Sequence, residues 1–173
     1  MNNSLEVPKQ WKKMKEKDYK KLGVYNNEVI KCLGSYVTHM DKKPIIINFY
    51  DYSKYNVEFL EKLDKYYEGV NEMNELIDGN PDDEDYESTA TLSSLYHGYI
   101  SDVNGLYYMA INKVLSEQGY SYVIQMFAKS AKKILCCEMN TYKIDEKNVL
   151  NSVKEATNVK DALSHLIELL NIE

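Results

Sequence analysis

The sequence predicts an all-α fold: a single-domain antiparallel bundle of six or seven helices around a central helix at about 88–117. Three observations predict it. Apolar residues recur at three- and four-residue steps through most of the chain. Between Ser88 and Asn112 the only charged residue is Asp102, which is how a buried helix is written rather than a solvent-facing one. Successive amphipathic segments are joined by short loops, with no internal repeat and no linker. The 173 residues therefore read as one helical domain, 1–173, with 1–7 a flexible N-terminal segment.

Pro8 to Lys21 reads as a basic surface helix anchored by Trp11, Met14 and Leu22 and stopped by Gly23. Tyr25 to Met40 repeats apolar residues at Val29, Ile30, Leu33, Tyr36, Val37 and Met40, the period of a helix of about four turns. Pro44 then opens the ambiguous run IIINFYDY. Its β-branched and aromatic residues argue for a strand, whereas proline at a first helical position argues for a helix. We read it as helix, with a short strand pair at 45–52 and 120–127 as the variant. Asn56 to Ile77 is a clearer helix: Asn56 can cap it, Val57, Leu60, Leu63, Tyr67, Val70 and Leu76 form its core face, and Gly79 and Pro81 end it.

Residues 78–87 then form an acidic loop. On the central helix, Leu92, Leu95, Tyr96, Tyr99, Val103, Leu106, Tyr107, Ala110 and Val114 share one broad side. Ser94, Gly98, Ser101 and Gly105 fall on a narrow stripe opposite. Two glycines inside a helix cost roughly 2 kcal/mol relative to alanine, so something must approach the backbone closely there. A helix or a tyrosine ring would suffice. Ser121 to Cys137 gives a further helix, and Asp145–Ala156 with Asn158–Leu170 a helical hairpin.

Charge is unevenly placed. All 21 basic residues are lysines, and the stretch between Lys65 and Lys113 holds ten acids and no base, which accounts for a net charge of −6. Abundant lysine, asparagine, isoleucine and tyrosine is the usage of a low-GC genome. Without arginine there is no planar fork for phosphate or guanine, so neither sequence-specific DNA readout nor an arginine finger is expected. The acidic zone repels nucleic acid and anionic membrane and attracts a basic protein surface. Three cysteines at Cys32, Cys136 and Cys137, without metal-ligand spacing, point to free thiols and a cytoplasmic location. No signal peptide and no apolar run of spanning length is found, so no membrane partner is expected.

Motifs for chemistry are missing or broken. Asp78, Asn80 and Asp82 begin like a calcium loop, but Asp83 stands where glycine must turn the chain and Thr89 where glutamate must close it. His39, His97 and His165 do not fall at metal-ligand spacings with another His or Cys, so neither a metal nor a cofactor is expected. Nucleophile elbow, phosphate loop and dinucleotide fingerprint are all absent. Asp102 with His97 as a catalytic pair would need a third group between them. The expectation is thus a non-enzymatic acidic domain that neutralises a basic protein partner, the class of immunity proteins, antitoxins and phage-type inhibitors. Its expected partner surface is Tyr66, Tyr67, Asp82, Asp83, Glu84, Asp85, Tyr86 and Glu87, carboxylates for encounter and tyrosines for anchoring. The alternative is a small-molecule sensor or carrier with a pocket lined by Ser94, His97, Gly98, Ser101, Asp102 and Gly105.

Overall fold

The computed structural model describes residues 7, 9–40, 42–55, 58–80, 82–85, 90–102, 105–117, 119–129 and 133–142, with the backbone alone at 40, 100–102 and 105–107. Strands β1 (Lys12–Lys13), β2 (Lys31–Met40), β3 (Lys43–Asp51), β4 (Leu92–Asp102), β5 (Gly105–Ser116), β6 (Gly119–Lys129) and β7 (Ile134–Thr141) form one sheet, ordered β1-β2-β3-β7-β6-β5-β4. Every neighbouring pair is antiparallel. Helix α1 (Phe59–Asp78) connects β3 to β4 and lies on one face of the sheet. A short 3-10 turn spans Glu16–Asp18.

The expected all-α bundle is overturned, and most of the misread segments share one cause. A sheet covered on one face alternates apolar and polar residues, whereas one buried on both faces is apolar at every position. Here both faces are buried. Toward α1, Tyr50, Cys136, Phe127 and Tyr108 are consecutive partners across β3, β7, β6 and β5. On the opposite face Ile47, Met139, Ile124 and Ile111 make the equivalent buried row. The period of two is therefore erased, and continuous runs such as IIINFY imitate a buried helix.

The supposed central helix at 88–117 is instead the β4–β5 hairpin, with Asp102 opposite Gly105 and Leu92 opposite Val114. Its uncharged character is real, because β5 lies between β4 and β6 in the sheet. The sequence pair Asn104-Gly105, a turn dipeptide that the helical reading passed over, stands at the register Asp102↔Gly105. The close approach expected at Gly98 does occur: a Cβ there would lie 3.2 Å from the Tyr96 hydroxyl, so a neighbouring tyrosine ring occupies the space. Gly34 on β2 is used the same way by Tyr36, whose ring would be 2.9 Å from an added Cβ.

Other segments change likewise. Tyr25–Met40 contains β2, 44–52 falls mainly in β3, and Ser121–Cys137 is divided between β6 and β7. Both 45–52 and 120–127 are strand-forming runs, yet they do not pair with each other, since β7 lies between them. The N-terminal basic helix is replaced by β1 and the 3-10 turn, although Trp11 is buried as the expected anchor and packs 6.3 Å from Tyr36. Tight hairpins use backbone at positive φ: Lys42 at 63° before Lys43, and Gly119 at 105° opposite Ser116. The helix expected over Asn56–Ile77 corresponds to α1. The hairpin expected at 145–156 and 158–170, and residues 1–6, lie outside the described residues.

Candidate functional site

The surface that distinguishes this molecule is built by α1, so its seating comes first. The middle row of the α1-facing side is polar: Ser35, Asn48, Glu138, Gln125, Ala110 and His97 are successive partners from β2 to β4. A helix can settle on such a row only by hydrogen bonding to it. Tyr67 does so, donating to Gln125 Oε1 at 3.2 Å and accepting from Asn112 Nδ2 at 3.1 Å. Gln125 in turn donates to Glu138 Oε2 at 2.9 Å. Asp64 Oδ1 accepts the Tyr108 hydroxyl at 3.0 Å and lies 2.8 Å from His97 Nδ1. Burial, reinforced by the Asp64 carboxylate, pushes the Tyr108 hydroxyl far above its ordinary range. Burial also raises Tyr67 against the lowering pull of Asn112. Both hydroxyls are therefore donors at any physiological pH.

Further along, α1 reaches the edge strand. Asn71 accepts from the Ser94 amide at 3.2 Å and donates to the Ser94 carbonyl at 3.1 Å, while Asn74 donates to the Leu92 carbonyl at 3.0 Å. One asparagine thus imitates a paired strand residue and blunts the start of the β4 edge. Beside it, Ser94 Oγ and Asn112 Oδ1, on partnered residues 8% and 4% exposed, have no hydrogen-bond partner among the described residues.

The other side of α1 leaves apolar side chains in solvent. Tyr66, Met73, Leu76 and Ile77 are 55%, 56%, 82% and 69% exposed. Leu76 was expected in the core, but at 100° per residue it points nearly opposite the buried Leu60 and Tyr67. The helix ends at Gly79, with φ 93°, and its last turn contains no basic residue. The Asn80 side chain and carbonyl then accept the amides of Asp82 and Asp83. Asp82, Asp83, Glu84 and Asp85 follow, all exposed. Among the described residues none of these four carboxylates forms an ion pair. The helix dipole, negative at this end, adds to their field.

The residues expected from sequence are thus brought together in part. Tyr66 and the four loop acids are all exposed, but Tyr66 stands some three helical turns before the end of α1 that the acids follow. Tyr67 turns inward and serves the helix–sheet interface, although its ring still touches Tyr66 at 5.4 Å between centroids. Tyr86 and Glu87 lie outside the described residues. Of the alternative pocket, Ser94 and His97 face α1, whereas Gly98, one residue on, faces away. Ser101 and Asp102 sit at the closed end of the hairpin with Gly105. Met73 and Ile77 were missed, although four residues apart on a helical period they were legible as a second, uncovered apolar strip.

No family model matches this chain, and no curated protein does. Among solved structures it is similar to PA94 from Pseudomonas aeruginosa, a protein of unknown function, with TM-score 0.45 and 8% identity over 78% of this chain and 85% of that one. A likeness of that degree says nothing of function. Among the described residues, no helix is long and apolar enough to cross a membrane, and no three His, Cys, Asp or Glu side chains gather as a metal set.

Proposed function

We propose that this chain is a non-enzymatic binding protein that receives a basic protein partner on the acidic, apolar end of α1. The carrying observation is that exposed Met73, Leu76 and Ile77, in the last turns of α1, are followed within a few residues by four exposed carboxylates at 82–85 that form no ion pair among the described residues. Carboxylates attract and orient the partner; apolar side chains beside them supply the desolvated contact that holds it. Scattered exposed apolar residues need no explanation, but a contiguous apolar strip rimmed by charge marks an interaction surface. Neutralisation of a cationic toxin or enzyme, as immunity proteins, antitoxins and phage-type inhibitors do, is the use we assign it. Three free thiols fit a reducing, cytoplasmic setting.

The test is amide chemical-shift mapping with poly-L-lysine and poly-L-glutamate as probes. Poly-L-lysine should shift amides at the end of α1 and at 82–85, and the Asp82→Lys, Asp83→Lys, Asp85→Lys triple variant should lose those shifts and their salt dependence. Shifts spread evenly over the surface, or unchanged in the variant, would refute the reading.

The second reading, a small-molecule carrier, draws on buried Ser94 Oγ and Asn112 Oδ1, which have no hydrogen-bond partner among the described residues. Native mass spectrometry of protein purified without denaturation discriminates it. A retained small molecule that is lost in Asn112→Leu supports this reading, and the bare chain mass rejects it.

A further inference from the structure

Tyr66, Val70, Met73 and Ile77 follow one another at steps of four, three and four residues, the spacing of a two-heptad helical seam. They cover about 16 Å of the helix axis, some three turns. The direction in which this seam faces is fixed by Phe59, which lies seven residues before Tyr66 and therefore on the same side. Phe59 packs on Tyr52 and Phe127, at 5.5 and 5.8 Å between ring centroids. The seam accordingly looks toward the β3–β7–β6 part of the sheet rather than past the β4 edge.

The sheet continues the apolar surface there. Val37, Ile46, Asn140, Val123 and Asn112 are successive partners across β2, β3, β7, β6 and β5 on the α1 side, and the first four are half-buried. The seam stands beside this half-buried row as a wall beside a floor. Gly69 flanks the wall, and a Cβ added to it would meet nothing within 4 Å, so a neighbouring backbone can come close.

Charge is graded along the axis of α1 toward its end. Lys62, paired with Glu58 at 3.9 Å, stands on the seam's side near its start, and Asp82 to Asp85 follow beyond the helix end. The cation-free last turn of α1 places the negative pole of the helix at the same end.

We infer that the partner's docking element is an amphipathic helix, seated along α1 with its apolar residues on Tyr66, Val70, Met73 and Ile77 and a cluster of lysines or arginines at Asp82–Asp85; this rests on the basic-partner reading above. A helix matches the wall because its own apolar residues repeat at the same three- and four-residue steps. An extended strand offers same-side residues only every 7 Å or so and cannot keep register with it. A second copy of this chain is a poorer occupant, since each copy carries −6.

The probe is a 21-residue leucine–lysine heptad peptide with extra lysines at one end, titrated into the full isotope-labelled chain. Controls are a proline-interrupted peptide of similar composition, which cannot form the helix, and a leucine–glutamate heptad peptide. The helical lysine peptide should shift residues 66–77 together with Val37, Ile46 and Val123. Proline interruption should weaken binding about tenfold or more, as should Met73→Ser with Ile77→Ser, two exposed sites where exchange adds no charge to the negative helix end and should leave the circular dichroism spectrum unchanged. Equal binding of both lysine peptides with shifts confined to 82–85 overturns the helix and leaves the basic-partner reading standing. Failure of every lysine peptide to bind removes both. Equal binding of the glutamate peptide overturns the charge assignment. Concentration-dependent dimers of the chain alone, dispersed by the double variant, make a second copy the occupant and overturn the proposal.

Discussion

His97 on β4 lies 2.8 Å through Nδ1 from Asp64 Oδ1 on α1, and the same oxygen accepts the Tyr108 hydroxyl of β5 at 3.0 Å. One carboxylate therefore fastens the helix to two strands. The tyrosine is fully buried, so removing its acceptor leaves a donor with nowhere to turn. Asp64→Ala should destabilise the protein by about 2 kcal/mol in urea denaturation. Asp64→Asn, which keeps an acceptor oxygen, should cost less, and Tyr108→Phe added to Asp64→Ala should recover part of the loss. A change in Asp64→Ala below about 0.5 kcal/mol would show that this junction contributes nothing.

Asn71 acts through the backbone of Ser94, making both a donor and an acceptor bond to one residue. Only an amide side chain has both groups. Asn71→Ala should cost about 1–2 kcal/mol and should speed hydrogen exchange of the Ser94 amide. Asn71→Asp keeps the acceptor and loses the donor, and so should fall between the two. If Ser94 exchange is unaltered in Asn71→Ala, the helix does not protect that edge.

How much of this was legible from sequence depends on which physical signal survived. The helix at 59–78 was, because Leu60 and Tyr67 are buried while acids and lysines cover much of its outer side, which preserves the 3.6-residue period. The exposed acids at 82–85 were also legible, since four adjacent carboxylates repel one another out of any core. The strands were not. Ile47, Asn48, Phe49 and Tyr50 face alternately away from and toward α1, yet both directions lead to buried surroundings, and alternation vanished. Turn chemistry was the signal that remained: Asn104-Gly105, together with Gly119, punctuates the hairpins that composition concealed. The inward turn of Tyr67 beside the outward Tyr66 follows from helix geometry, but its hydrogen bond to Gln125, 58 residues away, had no local trace.

Gly34 and Gly98 make room for tyrosines two residues along their own strands, but with different freedom. An added Cβ at Gly34 would meet Tyr36 Cε2 at 2.9 Å, and the Tyr36 ring is flanked by Trp11 at 6.3 Å and Phe49 at 5.9 Å. At Gly98 the nearest atom is the tip of Tyr96 at 3.2 Å. Gly34→Ala should therefore cost about 1–2 kcal/mol through displaced aromatic packing. Gly98→Ala should stay within about 0.5 kcal/mol, because the tyrosine tip can yield while alanine restricts the unfolded chain. Thermal melts of the two variants check the order; equal losses would contradict it.

Cys136 and Cys137 are adjacent on β7 and point to opposite faces of the sheet, and both are buried. Burial, then the Glu138 carboxylate, pushes both thiols well above their ordinary value. Tyr19 is pushed up to about 12 by burial and by its hydrogen bond to Cys32. Raised groups of this kind leave stability intact below the unfolded values, about 8.5 for cysteine and 10 for tyrosine. Above those values the unfolded chain ionises while the folded one does not, so unfolding gains free energy as pH climbs toward the folded values. The urea midpoint should accordingly hold to about pH 8 and decline between about pH 9 and 12. In the native protein at about pH 8, a disulfide-exchange reagent should reach half-buried Cys32, slowly because burial also raises that thiol, and should reach Cys136 and Cys137 only on unfolding. Three thiols reacting at one rate in the native state would show that the β7 pair is not sealed within the sheet.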